Sequence, residues 1–263
     1  MLGAIIGDIA GSRYEFHSTN NYDFEMFSEK ADFTDDTICT VAVADAILHH
    51  SNDYGSFIHA WCRKYPAPKG AYGIKFAKWV RSEHPEPYDS FGNGAAMRVS
   101  PVAWAFSSRE EVLEAARLTA ECSHNHPEGI KGAQTTALAI YESRCLRKNL
   151  GDQDLLKEVM ARAVEFSGYN INIRRENVEN RFNDTCQGTV PVALWIVNNS
   201  NRFEDAIRKA VSLGADADTL GAIVGSIAEA IWEIPTWMKE EALSFLPDEM
   251  KQIYSSFESS AFR

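Results

Sequence analysis

Apolar residues recur at three- and four-residue steps over most of the chain, which is the period of an α-helix with a buried face. The pattern predicts helices over residues 38–48, 112–118, 133–141, 155–166, 186–197, 203–213, 220–232 and 239–245. A short alternation around Ile171 and Ile173 lies among Asn and Arg and indicates a loop or an edge segment. Because strands do not alternate with helices, a doubly wound sheet is excluded and we predict an all-α fold.

Two segments far apart in the chain carry the same spacing of glycines. Residues 3–10 (GAIIGDIA) are echoed by residues 221–228 (GAIVGSIA). Glycines four residues apart lie on one face of a helix and allow another backbone to approach closely. We therefore predict two tightly packed helices. Asp8 is an exception in this apolar setting, because a buried carboxylate needs a partner.

Residues that interrupt helices cluster at 65–73, 84–94 and 168–183, but no long Gly/Ser or Pro linker separates the helical segments. The chain of 263 residues is 45% hydrophobic and 24% charged, which excludes intrinsic disorder and allows a substantial core. We therefore predict one compact domain over residues 1–263.

Charge and cysteine usage limit the partners and the compartment. A net charge of −11 disfavours general binding to nucleic acids or to anionic membranes. No apolar run approaches the roughly 20 residues of a transmembrane helix, and residues 1–10 lack the basic start of a signal peptide. The five cysteines are scattered, which is typical of reduced thiols. We expect a cytoplasmic protein without membrane contact, and we favour a monomer.

Two acidic runs each directly precede an apolar helix: residues 33–37 (FTDDT) and residues 214–219 (GADADT). Thr and Asp are favoured helix N-caps, and acidic residues complement the positive end of a helix dipole. One cap per helix would suffice, however, and neighbouring carboxylates repel unless a cation or a proton lies between them. Oxygen ligands of this kind suit Mg²⁺ or Mn²⁺. The residues alone leave both interpretations open, helix capping and a metal site.

Three further polar features lie in apolar surroundings. Residues 92–98 (GNGAAMR) begin a helix with small residues and could present backbone N–H groups to phosphate or ribose, although Asn-Gly is above all a turn signal. Residues 123–129 (SHNHPEG) hold two histidines without zinc-like spacing to cysteines. Glu15 follows the first apolar helix, and on its own it could be an ordinary exposed acid.

Together these motifs resemble the ADP-ribosylglycohydrolase family. The resemblance covers essentially the whole chain and rests on six segments in the family's order: residues 3–15, 34–37, 92–98, 123–129, 184–191 and 214–219. It implies a compact all-helical fold with two Mg²⁺ or Mn²⁺ ions. One departure is Ala215, where the family usually has glycine; alanine does not share glycine's freedom to adopt positive φ.

The resemblance also implies roles for individual residues. The metal ligands would be Thr34, Asp35, Asp36, Asp216, Asp218 and Thr219. The substrate-binding residues would be Gly92, Asn93, Gly94, Met97, Arg98 and His124. The proton acceptor would be one of three carboxylates close to the ions: Glu15, Asp35 or Asp36.

The implied reaction is hydrolysis of the glycosidic bond between ADP-ribose and an acceptor, either a protein side chain or a small ADP-ribose conjugate. It passes through an oxocarbenium-like state and needs an oriented ribose, an activated water and a protonated leaving group. Two metal ions can orient the ribose and polarise the water. The pyrophosphate would rest on backbone N–H groups of residues 92–94.

Two other functions are compatible with parts of the pattern. A non-catalytic ADP-ribose or nucleotide-binding protein would share the fold, but the presence of all six ligand positions favours an enzyme. A two-metal phosphoester hydrolase would use the same ligands, but it gives no role to residues 92–98 or to Glu15. The acceptor stays open among arginine, serine, a nucleic-acid base and an O-acetyl ester.

Overall fold

The computed structural model describes residues 1–261, so the last two residues of the predicted domain 1–263 lie outside it. The described backbone forms fourteen α-helices: α1 Leu2–Ser12, α2 Asp35–Leu48, α3 Tyr54–Lys64, α4 Ile74–Arg81, α5 Gly94–Met97, α6 Ser100–Ala105, α7 Arg109–Glu121, α8 Pro127–Leu146, α9 Asp152–Ser167, α10 Cys186–Asn198, α11 Phe203–Val211, α12 Ala217–Ile231, α13 Thr236–Phe245 and α14 Asp248–Ala261. A short 3₁₀ helix covers Arg175–Asn177. Over residues 1–261 the backbone has no strand beyond two single bridges, Thr34 to Lys69 and Gly92 to Thr185. The predicted all-α fold is confirmed.

Helices α1 and α12 form the centre of the molecule and run antiparallel in close contact. Every residue of α1 is buried, as expected for a helix that is apolar on all sides. Small residues of α1 face small residues of α12 in three successive pairs: Gly3 with Gly225, Gly7 with Gly221, and Gly11 with Ala217. A Cβ atom added to Gly7 would overlap the backbone of Gly221. The prediction of two tightly packed helices is confirmed.

The remaining helices surround this pair. Helix α2 packs against α1, and α8 packs against α12 on another side, where it also contacts α5 and α10. One hydrophobic cluster extends from Met1 to Phe257. No helix within residues 1–261 is both long and apolar enough to cross a bilayer.

Three peripheral helices were not predicted from the apolar pattern: α3, α4 and α14. Helix α3 buries only Tyr54, Ile58, Trp61 and Cys62, and its other positions are partly or fully exposed. Helix α14 buries little more than Met250 and Phe257. Because these helices bury so few residues, their apolar pattern was too weak to predict them. The segment around Ile171 and Ile173 is a loop, as predicted.

Candidate functional site

The starts of α2 and α12 meet inside the protein, and each carries one of the two acidic runs. At α2, Thr34 caps the helix, because its Oγ1 accepts a hydrogen bond from the Asp36 N–H at 3.2 Å. At α12, the flanking Asp216 makes no such cap; its Oδ2 accepts a hydrogen bond from Asn93 Nδ2 at 2.7 Å. Capping therefore explains Thr34 but leaves the carboxylates of both runs unexplained.

The carboxylates form two overlapping groups that share Asp218. In each group the oxygen atoms lie within 4.8 Å of one another: Asp8, Asp36 and Asp218 in one, and Glu15, Asp216 and Asp218 in the other. The three aspartates of the first group are all buried. The structure thus brings four of the predicted residues into one site, namely Glu15, Asp36, Asp216 and Asp218.

The two predicted threonine ligands lie against Asp36, and Asp35 borders the pocket. Thr219 Oγ1 is 3.3 Å from Asp36 Oδ2, and Thr34 Oγ1 is 3.4 Å from the same oxygen. Asp35, in the first turn of α2, is half-buried and lies outside the two carboxylate groups that share Asp218. All six predicted ligand positions therefore belong to, or border, one acidic pocket.

Asp8 has a different role from the other carboxylates, because hydrogen bonds occupy both its oxygens. Its Oδ1 accepts from Thr34 Oγ1 at 2.7 Å. Its Oδ2 accepts from the N–H of Thr34 at 3.0 Å, and from the N–H and hydroxyl of Thr37 at 3.1 and 2.5 Å. Asp8 therefore fixes the start of α2 to α1 and holds Thr34 and Asp36 in place.

Several oxygens in the pocket have no hydrogen-bond partner within the described chain. They are Asp36 Oδ1, Asp218 Oδ1 and Glu15 Oε2, and all three are shielded from solvent. Unpaired buried carboxylate oxygens are costly. Divalent cations prefer such oxygens as ligands, so the donor set fits a hard divalent metal, with Asp36 and Asp218 as its natural contacts.

Burial and mutual repulsion shift the pKa of every acid in the pocket upward. Burial, with the neighbouring charges of Asp216 and Asp8, raises the pKa of Glu15 to about 7. Burial, followed by the charge of Asp8, raises the pKa of Asp35 to about 8. The pKa values of Asp36 and Asp218 are raised well above their ordinary range, again chiefly by burial. Without a cation, these groups can share the pocket only by holding protons.

Glu15 lies at the edge of the pocket, under the loop that precedes α4. It is half-buried, and a hydrogen bond with Asp218, followed by the charge of Lys69 in this loop, offsets part of the rise in its pKa. Gly70 has a φ of +79°, and a Cβ atom there would overlap Glu15 Oε2. Since Thr34 bridges to Lys69, the loop spans the start of α2 and covers the carboxylate of Glu15.

The glycine-rich segment 92–94 is joined to the acidic pocket by Asn93. Its backbone differs from the prediction that the N–H groups of this segment are available to a pyrophosphate. The Gly92 N–H donates to Ser90 Oγ at 3.1 Å, and the Asn93 N–H donates to the carbonyl of Asp184 at 2.7 Å. Residues 184–186 run alongside the segment and take the Asn93 donor, while Ser90 takes that of Gly92, so neither N–H is free for a pyrophosphate in this structure.

His124 stands against the same segment, with its Nε2 atom over the two glycines. Cβ atoms added to Gly92 and Gly94 would lie 3.3 and 3.2 Å from Nε2. Burial, together with the charge of Arg98, holds the pKa of His124 well below its usual value, so the ring is neutral.

Two predicted substrate-binding residues are buried, one of them completely. Met97 is buried, and Arg98 has 0% of its surface exposed. The Arg98 guanidinium points into the protein, where Nη2 donates to the carbonyl of Thr119 at 2.7 Å and to Ser123 Oγ at 2.9 Å. The sequence pattern could not show this, because it does not fix the side-chain direction of the residue that follows the short helix α5.

A cavity of about 190 Å³ opens beside Asp216. Its walls are mostly apolar, with Val192, Leu213 and Leu220, and its polar rim includes Asn183. Ala215, the departure from the family pattern noted above, also lines it. The cavity provides room next to the acidic pocket for part of a bound molecule.

The site residue that the sequence prediction omitted is Asp8. Its position in an apolar helix, one residue after Gly7, signalled that it needs a partner, but only the contact between α1 and the start of α2 shows that the partners are Thr34 and Thr37. Thr37 was also omitted, because a threonine in the first turn of a helix is not distinctive.

Comparison with known proteins gives consistent matches over the length of the chain. A family model described as ADP-ribosylglycohydrolase matches residues 1–257. ADP-ribosylhydrolase ARH3 of Mus musculus is 24% identical over an alignment of 306 positions, gaps included, which covers 88% of this chain and 82% of that protein. ADP-ribosylarginine hydrolase Tri1 of Pseudomonas putida (strain GB-1) is 26% identical over an alignment of 281 positions, gaps included, which covers 93% of this chain and 73% of that protein.

A solved structure described as an ADP-ribosylglycohydrolase-related protein complex has the same fold. It superposes with a TM-score of 0.71 at 22% sequence identity, covering 99% of this chain and 97% of that chain. At this identity the likeness concerns the fold alone.

Proposed function

Because the chain belongs to the ADP-ribosylglycohydrolase family, we propose that it hydrolyses the bond between ADP-ribose and an acceptor and releases ADP-ribose. Relatives named ADP-ribosylhydrolase and ADP-ribosylarginine hydrolase support the reaction class. The observation that carries the proposal is the acidic pocket, in which the predicted metal ligands from the two ends of the chain meet beside the segment 92–94. The acceptor is a modified protein side chain or a small ADP-ribose conjugate.

The proposed activity depends on divalent metal. The unpaired oxygens of Asp36 and Asp218 would contact the ions, with Asp35, Asp216 and the two threonines, Thr34 and Thr219, completing the set. When bound, Mg²⁺ or Mn²⁺ would screen the carboxylate charges and supply Lewis-acid polarisation. Asp8 would not be a ligand, because hydrogen bonds from Thr34 and Thr37 occupy its oxygens.

Glu15 is the residue best placed to accept a proton from the attacking water. Its Oε2 has no hydrogen-bond partner in the described chain, and the residue lies at the half-open edge of the pocket. A base is most effective when its pKa is close to the working pH, and the pKa of Glu15 is raised to about 7. Asp36 is buried and paired with threonine hydroxyls, which makes it a better ligand than base.

Other side chains would position the substrate. Asn93 connects the segment 92–94 to Asp216 and so fixes the distance between the ADP-ribose-binding segment and the acids. Because the N–H groups of Gly92 and Asn93 already donate within the chain, side chains would contact the phosphate or ribose oxygens. His124, which lies against Gly92 and Gly94, is a candidate for this contact. The cavity beside Asp216 would receive a group attached to the ribose.

The test is to incubate the protein with Mg²⁺ and a panel of defined conjugates, and to identify the products by mass. The panel contains arginine- and serine-linked peptides, a modified nucleic-acid base and O-acetyl-ADP-ribose. Release of free ADP-ribose from one of them is expected. Binding of ADP-ribose without turnover of any conjugate would indicate a non-catalytic binding protein, and release of AMP would indicate phosphoester hydrolysis.

A matched control uses an acid outside the pocket. Asp205 on α11 is buried and is paired with Lys209 and Tyr22. Asp205→Asn should leave turnover per folded molecule unchanged, whereas Asp218→Asn should abolish it. Equal loss in both variants would show that the assay reports only folding.

A further inference from the structure

His124 is linked to Arg98 by a short chain of hydrogen bonds through Ser123. Arg98 Nη2 lies 2.9 Å from Ser123 Oγ, and Ser123 Oγ lies 2.8 Å from His124 Nδ1. Ser123 and Arg98 are wholly shielded from solvent, and His124 nearly so. In this setting the direction of each hydrogen bond follows from the donors and acceptors that the groups possess.

An arginine can only donate, so Ser123 Oγ must accept from Arg98. The hydroxyl proton of Ser123 then needs an acceptor of its own. Of the two neighbours of Oγ besides Arg98, His124 Nδ1 lies at 2.8 Å and Cys122 Sγ at 3.9 Å. The nearer nitrogen is the better acceptor, and the charge of Arg98 polarises the hydroxyl so that it donates more strongly.

We infer that Arg98 and Ser123 hold His124 as the neutral tautomer with its proton on Nε2, and so make it a fixed N–H donor toward ADP-ribose. This inference rests on the proposed function for the identity of the ligand, but the tautomer itself does not. Nδ1 accepts from Ser123, and a second ring proton is disfavoured by burial next to a guanidinium. The single remaining proton is therefore on Nε2.

Nε2 lies against the glycine-rich segment. A Cβ atom added to Gly92 or Gly94 would lie 3.3 or 3.2 Å from it, and it makes no hydrogen bond within the described part of the chain. The N–H groups of Gly92 and Asn93 are already used by Ser90 and Asp184. A neutral N–H donor on His124 would therefore take over a hydrogen bond to the ligand that the backbone of segment 92–94 cannot donate.

Arg98 and Ser123 are thus positioning residues, since neither reaches the ligand. This also accounts for a buried arginine without a carboxylate partner in the described chain, because its Nη2 is used to orient Ser123. The aromatic rings of Phe76 and Tyr88 pack on the His124 ring, with centroids 6.2 and 5.9 Å away, and restrict its rotation.

The direct test is nitrogen NMR of the unmodified protein labelled with ¹⁵N-histidine. The chain has seven histidines, and the spectrum of His124→Gln identifies the signals of His124. A pyridine-type Nδ1 and a protonated, pyrrole-type Nε2 are expected at neutral pH. A protonated Nδ1, or protons on both nitrogens, would overturn the inference. The measurement involves no turnover, so its failure is separate from failure of the proposed hydrolysis.

The second test is Ser123→Ala, measured by the same spectrum and by calorimetric titration with free ADP-ribose. The variant should lose the fixed tautomer, and the Kd for ADP-ribose should rise about tenfold, as expected for one hydrogen bond, with kcat changed less than about twofold. Ser143→Ala is the control, because Ser143 is also fully buried but donates to the carbonyl of Ala139. An unchanged tautomer and Kd in Ser123→Ala contradict the inference; if this variant does not fold, the spectrum of the unmodified protein decides.

Discussion

Asn93 Nδ2 lies 2.7 Å from Asp216 Oδ2 and 3.2 Å from Thr189 Oγ1, so one amide joins the glycine-rich segment, the start of α12 and the start of α10. These are three of the motifs on which the family resemblance rests. The Asn93 amide thus holds motifs that are far apart in sequence next to one another. Its bond to Asp216 is possible because this carboxylate does not cap α12.

Removal of divalent metal should stop turnover. The buried, unpaired oxygens of Asp36 and Asp218 repel one another unless a cation or protons neutralise them. Treatment with a chelator should abolish release of ADP-ribose, and addition of Mg²⁺ or Mn²⁺ should restore it. Full activity in protein shown to be metal-free by mass spectrometry would exclude the metal-dependent mechanism.

The double variant Asp35→Asn, Asp36→Asn should lose turnover and keep its fold. Two like charges are removed from one pocket, so the metal-free variant should melt at the same temperature as the unmodified protein or higher. It should also lose the increase in Tm that Mg²⁺ gives the unmodified protein, because a ligand stabilises the state that binds it. Calorimetry with and without Mg²⁺ measures both effects. A much lower Tm without metal would mean that these residues serve as structural caps.

Glu15→Gln should lower kcat by about a hundredfold to ten-thousandfold, which is the usual effect of removing a general base. The affinity for ADP-ribose should change little, because the glutamine has nearly the same size and still forms hydrogen bonds. Glu25→Gln is the control: Glu25 lies in the same part of the chain and is exposed, with Arg13 as its partner. Near-normal kcat in Glu15→Gln would show that Glu15 is not the general base and would leave Asp35 and Asp36 as the candidates.

Gly7→Ala should destabilise the protein by about 3 kcal/mol or more. The new methyl group would overlap the backbone of Gly221, and backbone cannot move aside as a flexible side chain can. Gly151→Ala is the control, because within residues 1–261 a Cβ at that position would meet no atom within 4 Å apart from its two chain neighbours; its effect should stay within about 0.5 kcal/mol. Urea unfolding measures both, and similar values for the two would show that the close contact of α1 and α12 is not a constraint.

The metal-free protein should become less stable as the pH rises from about 5 to about 8. The pKa values of Asp8 and Asp216 are raised to about 6, that of Glu15 to about 7 and that of Asp35 to about 8. In the unfolded chain such groups titrate near pH 4, so over this range the native state binds more protons than the unfolded state. Its stability is then full at low pH and declines as the pH passes the native pKa values.

Each proton held in excess by the native state contributes a slope of about 1.4 kcal/mol per pH unit. Urea unfolding at several pH values, with chelator and with Mg²⁺, measures the slope. Mg²⁺ should flatten the decline, because it replaces the protons. A metal-free stability that increases over this range would show that the acids are not mutually destabilising.

The sequence predicted the features that depend on local pattern. The glycine echo predicted the α1–α12 pair, and the two acidic runs predicted helix starts with excess carboxylate. It did not reveal which donors are already used: only the folded chain shows that Asp184 takes the N–H of Asn93, or that Arg98 points inward to Ser123. Such details depend on contacts between distant segments, which no local pattern encodes. The roles of the site residues in metal and substrate binding remain predictions.

The pairing of α1 with α12 has a consequence for how the protein matures in the cell. Asp36 and Thr219, which are 3.3 Å apart in the pocket, are separated by 183 positions in sequence. During synthesis the early helices leave the ribosome long before α12 exists, and contacts of such large sequence separation form late. Helix α1, whose residues are all buried in the folded protein, is then a nascent segment without its partner. The acidic pocket is assembled only after α12 has emerged, so a nascent chain that stalls before α12 lacks half of the proposed metal site.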